Sequence, residues 1–105
     1  MNTPVGLFLR CCGRLLDGDD ALIVLLQARG FISAPGVWQF TLPSLHRFLQ
    51  DQLAEGECPG YPVFRQMLFA SDVNTRLRAL GAEIVVVDNH AKVDSSLYGL
   101  RRLAT

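Results

Sequence analysis

The segment from Ala70 to Leu103 narrows the choice of fold more than any other part of the chain. Between Ser71 and Leu80, the residues Val73, Leu77 and Leu80 fall at i, i+4 and i+7. That spacing predicts a short helix with those three facing a core, Asn74, Thr75 and Arg78 turned outward, and Arg76 on the flank. Gly81 stops the helix, because glycine takes the left-handed conformation of a helix C-terminus without steric cost. Ile84-Val85-Val86-Val87 is a β-branched run, Asp88 to Asp94 a polar loop, and Leu97 to Leu103 a returning strand. A helix leading straight into a hairpin can present both a helix and a loop to a partner on one side, and does not by itself name that partner.

The rest of the chain reads as mostly helical. Val5, Phe8, Leu9, Cys12, Leu15 and Leu16 make a helical stripe over residues 4–16. Gly6, Arg10 and Gly13 lie off it, and the two glycines leave a flat strip that a helix of a second chain could approach. Asp17-Gly18-Asp19-Asp20 is a turn ending in an N-cap. The run from Ala21 to Leu26, closed by Gly30, reads as a helix apolar on all sides, and hence as the central core helix. Phe31 to Gly36 reads as a loop and Val37 to Thr41 as a short strand. Pro43 suits the first turn of a helix reaching about Ala54, Glu55 to Gly60 is the longest break, and Pro62 opens another helix. No internal repeat is apparent. The expected fold class is α+β: one helix-rich domain over 1–105, with four or five helices and a C-terminal antiparallel hairpin. An N-terminal helical part spans 4–54 and a helix–helix–hairpin part 61–103.

Charge excludes more than it suggests. Ten basic residues balance ten acidic ones, so the chain lacks the broad positive field that drives non-specific nucleic-acid binding. Half of its residues are hydrophobic and 19% are charged, below the usual share, which points to self-association through an apolar surface. Cys11, Cys12 and Cys58 match no zinc spacing and no disulfide framework, which argues for reduced thiols. With no secretory pattern and no apolar run of membrane-spanning length, a cytoplasmic location and no membrane partner are expected.

The stretch Asp72-Val73-Asn74-Thr75-Arg76-Leu77-Arg78-Ala79-Leu80-Gly81, followed by Ile84 to Val87, resembles the end of a winged helix-turn-helix domain. There a recognition helix ends at a glycine and runs into a two-stranded wing. The resemblance covers roughly 37–103, with Pro62 to Phe69 as the preceding helix, Asp88 to Asp94 as the wing tip and Trp38 to Thr41 as the third strand. It leaves residues 42–54 as an additional helix. It implies a DNA-binding regulator, with Asn74, Thr75, Arg76 and Arg78 as base-edge and phosphate contacts to double-stranded DNA, and His90 and Lys92 touching phosphates from the wing. Asp72, Asp88 and Asp94 would oppose a phosphate backbone.

The chain carries no phosphate-binding glycine loop, dinucleotide fingerprint or nucleophile elbow. Cys58 beside Pro59-Gly60 reads as a loop cysteine, and His46 as a histidine at the edge of the core. No metal, cofactor or small-molecule substrate is indicated, and the expectation is a non-enzymatic module. The competing reading is a protein-interaction or self-assembly module, using a homodimer strip at Gly6, Arg10 and Gly13 and the exposed edge of the last strand.

Overall fold

A computed structural model describes residues 3–53, 56–89, 91–92 and 94–103. It has five helices and one four-stranded antiparallel sheet: α1 (Pro4–Leu16), α2 (Asp20–Ala28), β1 (Ile32–Ala34), β2 (Val37–Phe40), α3 (Leu42–Gln52), α4 (Tyr61–Ala70), α5 (Val73–Arg78), β3 (Ala82–Asp88) and β4 (Leu97–Arg102). The sheet order is β1-β2-β4-β3. The C-terminal hairpin is present as expected, and β4 is its inner strand.

Local chemistry explains most of the boundaries. Thr3 caps α1 by accepting from the Gly6 amide at 3.0 Å, and Asp19 caps α2 by accepting from Leu22 at 3.2 Å. Thr41 and Ser44 cap α3 reciprocally, with Pro43 in the first turn. Gly30 and Gly81 follow α2 and α5 with φ of 88° and 81°, the left-handed geometry that lets the chain turn from helix into strand.

The core lies between the helices and one face of the sheet. Phe8, Cys12 and Leu15 of α1, Leu45, Phe48 and Leu49 of α3, and Phe64 of α4 are all buried against it. Trp38 is its centre, with Phe8, Phe31, Phe40 and Phe48 at ring-centroid distances of 5.3–5.9 Å. Its indole N–H is buried and meets no acceptor among the described residues.

Five expectations need correction. Residues 32–34 form a strand rather than part of a loop, because Pro35-Gly36, with Gly36 at φ 73°, makes a two-residue hairpin turn. That turn docks on α1, where the Gly36 amide donates to the Leu15 carbonyl at 2.8 Å. The second correction concerns α2, which is not the central helix. It packs at the β1 side of the sheet, burying Leu22, Ile23 and Leu26 while leaving Val24 63% exposed. Leu80 is 56% exposed instead of facing the core. The chain tightens after α5, with Leu80 N–H donating to Leu77 and Gly81 N–H to Arg78, and this i→i+3 turn swings Leu80 off the α-helical stripe. The last strand is not an edge, since β4 lies between β2 and β3.

The fifth correction is a structural repeat. The units α2–Gly30–β1–β2 and α5–Gly81–β3–β4 have the same order, and they meet through antiparallel pairing of β2 with β4. Leu22 and Leu26 occupy the same offsets before Gly30 as Val73 and Leu77 do before Gly81, and all four are buried. Ser33, Trp38, Leu100 and Ile84 form one row across the sheet, so a pseudo-twofold axis passes between Trp38 and Leu100. Each edge strand is closed at the equivalent residue by a helix amide. Gln27 Nε2 donates to the Ser33 carbonyl at 2.9 Å, and Asn74 Nδ2 donates to the Ile84 carbonyl at 3.2 Å. Asn74 sits one helical turn earlier than Gln27 relative to its glycine, which keeps it on the same helix face and brings the shorter amide to the same place.

Candidate functional site

The helix pair α4–α5 and the hairpin β3–β4 bring together most of the residues singled out in the sequence. Ser71 and Asp72 make the turn between the two helices. Asp72 has φ 52° and ψ 49°, a left-handed conformation that aspartate tolerates better than most residues. Its Oδ1 accepts the Thr75 hydroxyl at 2.8 Å, so Thr75 is engaged within its own helix.

Asn74 does not point away from the domain. Its Oδ1 accepts the Ile84 N–H at 2.8 Å while its Nδ2 donates to the Ile84 carbonyl. The amide therefore stands where a neighbouring strand would stand, and both of its ends are committed to β3. Arg76 and Arg78 are exposed in the last turn of α5, where cations complement the helix dipole. Lys92 is exposed in the loop after β3, and its carbonyl accepts from the Ser95 and Ser96 amides and the Ser96 hydroxyl. His90 lies outside the described residues.

The loop between β3 and β4 is tied back to α4. Asp94 accepts from Arg65 at 3.1 and 3.2 Å and from the Tyr61 hydroxyl. The Tyr61 hydrogen bond, with Arg65 beside it, holds the Asp94 carboxyl below the usual carboxylate range. Burial and then the hydrogen bond to Asp94, with the Asp94 charge behind it, push the Tyr61 phenol up, so the shared proton stays on the tyrosine. Burial and then the Asp94 charge raise the Tyr98 phenol.

Between α4, α5 and the hairpin opens a cleft of about 370 Å³. Phe8, Phe40 and Leu68 are among its apolar lining, and Asp72 is the one acidic side chain on its wall. Phe69 and Val86, which also line it, are 59% and 55% exposed. Sequence reasoning did not find this cleft. Its two signals were Phe69, an aromatic off the apolar face of α4, and an aspartate at a turn position that demands a positive φ.

The remaining candidates are dispersed. Gly6 and Gly13 are half-buried on α1, and the chain places nothing within 4 Å of where a Gly13 side chain would begin. Arg10 is exposed on the same helix. His46 is buried, and its Nε2 lies 2.8 Å from the Pro59 carbonyl; since a carbonyl only accepts, that nitrogen carries the proton and pins the α3–α4 connection. Burial pushes all three thiols up, most strongly Cys12, so none is an activated nucleophile. Among the described residues no group of three metal-ligating side chains comes together, and no helix is long and apolar enough to cross a membrane.

Comparison with known proteins adds no family. No family model matches the chain, and neither the curated proteins nor the solved structures searched contain a match.

Proposed function

We propose that this chain is a small winged-helix-like regulator or adaptor that binds double-stranded DNA and carries out no catalysis. One observation carries the reading: the helix pair α4–α5 runs directly into a hairpin whose second strand, β4, lies between β3 and the earlier strand β2. That order agrees with the resemblance over residues 37–103, α3 being the additional helix. The contact set is Arg76 and Arg78 on α5 with Lys92 in the loop. Asn74 and Thr75 leave it, because their polar atoms are engaged within the domain.

A contact set this small makes a quantitative demand. Three phosphate contacts give a log–log salt slope of about −2.7, so raising salt from about 50 to about 200 mM weakens binding roughly fortyfold. A residue-resolved NMR titration with mixed-sequence duplex DNA at those two salts is the test. Shifts centred on Arg76, Arg78 and Lys92 that fade at the higher salt support the reading, and Arg78→Ala then lowers the slope by about 1. No shift at either salt in a folded protein refutes it.

A second reading, a protein-interaction module, is favoured by the exposure of Phe69 and Val86 beside an apolar cleft on a chain of zero net charge. It expects concentration-dependent association and no salt-sensitive affinity for DNA.

A further inference from the structure

The cleft between α4, α5 and the β3–β4 hairpin is unused by the DNA contacts above. Its volume of about 370 Å³ falls within the range of small-molecule sites, and its lining is mainly apolar with few polar groups. The single acidic group on the wall is Asp72. Four acids among the described residues pair with arginines, Asp19 with Arg14, Asp51 with Arg29, Asp94 with Arg65 and Glu83 with Arg101, and none of these four lines the cleft. Asp72 has no cation paired with it among the described residues. It accepts one hydrogen bond, from Thr75, and an ionised carboxylate has room for several more. Asn74 also lines the cleft, but both ends of its amide are spent on Ile84, so it offers a ligand little. The electrostatic complement of this wall is therefore a cation attached to an apolar body.

We propose that the cleft is a binding site for a small hydrophobic amine, with its aromatic or branched aliphatic body against Phe8, Phe40 and Leu68 and its ammonium on Asp72. Neutral molecules of the same shape fill the cleft without the ion pair, and anions are repelled. The proposal does not depend on DNA binding.

The test is an NMR titration with 2-phenylethylamine, 2-phenylethanol and 3-phenylpropionate, read at the amides of Val73, Asn74, Ile84 and Val86. The amine should saturate these shifts at a Kd roughly threefold or more below that of the alcohol, the scale of a partly exposed ion pair, and the carboxylate should bind weakest. Asp72→Asn removes the charge while keeping a residue that accepts the left-handed conformation. In that variant the amine and the alcohol should bind alike. Equal affinity of amine and alcohol in the parent overturns the proposal, as does an amine preference that survives Asp72→Asn. Shifts from none of the three probes overturn it outright.

Discussion

Removing the Asn74 amide should weaken the domain by an amount its geometry sets. Asn74→Ala deletes two hydrogen bonds, of 2.8 and 3.2 Å, to the backbone of one residue, Ile84. Each such bond contributes about 0.5–1.5 kcal/mol net, so the gross loss is about 1–3 kcal/mol. Alanine returns roughly 0.5 kcal/mol in helix propensity, and water reaches part of the half-buried edge. The expected net loss is about 1–2 kcal/mol, a fall in Tm of roughly 5–12 °C for a domain of this size. Hydrogen exchange supplies a local readout, since the Ile84 amide should lose protection in the variant while the Leu26 and Leu49 amides keep theirs. Asn74→Asp should be worse than Asn74→Ala at neutral pH, because a carboxylate would face the Ile84 carbonyl. Protonation restores a donor, so the aspartate variant should recover stability as pH falls and lose it as pH rises. A loss below about 0.5 kcal/mol for Asn74→Ala, with unchanged exchange at Ile84, would refute the view that this amide closes the sheet edge.

Three further outcomes follow from the same structure. Gly36→Ala should cost about 1–2 kcal/mol from its positive φ alone, because a side chain resists the left-handed region, and a new Cβ would also sit 2.5 Å from the Arg102 Nε; thermal melts check this. Asp19 and Asp94 both titrate below the ordinary carboxylate value of 3.8, so their stabilisation is complete above that pH and is lost as pH falls through their lower folded values. Melts between about pH 5 and pH 2.5 should show this fall, less steeply in Asp94→Asn. A thiol-specific reagent should modify Cys58, which is half-buried, before the buried Cys11 and Cys12, whose labelling should track global unfolding; mass spectrometry of the labelled peptides decides the order.

The helices with caps and stripes were legible in the sequence because their causes are local. The first helix spans the expected 4–16, and Pro43, Asp19, Gly30 and Gly81 act where their conformational preferences put them. The hairpin was legible from its β-branched run. What escaped were features decided by distant contacts. A three-residue strand at Ile32–Ala34 shows no period, and it exists because β2 lies beside it. The repeat was hidden because its two copies share little beyond apolar spacing and a glycine, and the closing amides fall at different offsets. The polar face of α5 was misjudged for a related reason. Asn74 faces outward from its own helix stripe, but the sheet edge comes back to meet it, and no pattern within residues 71–80 announces that. The cleft, likewise, is made by residues drawn from seven elements.

The pseudo-twofold seam bears on how the chain reaches this structure. Each helix–glycine–hairpin unit is built from neighbours in sequence, whereas β2 and β4 come from opposite halves of the chain. Short-range contacts form fastest, and long-range strand pairing carries the larger entropic cost of loop closure. The two hairpins should therefore acquire structure independently and zip together late. Trp38, buried at the seam, is the natural clock for that event. In stopped-flow refolding its fluorescence should lag behind amide protection within each hairpin. If the two signals rise together, the halves are not independent and the domain folds as one nucleus.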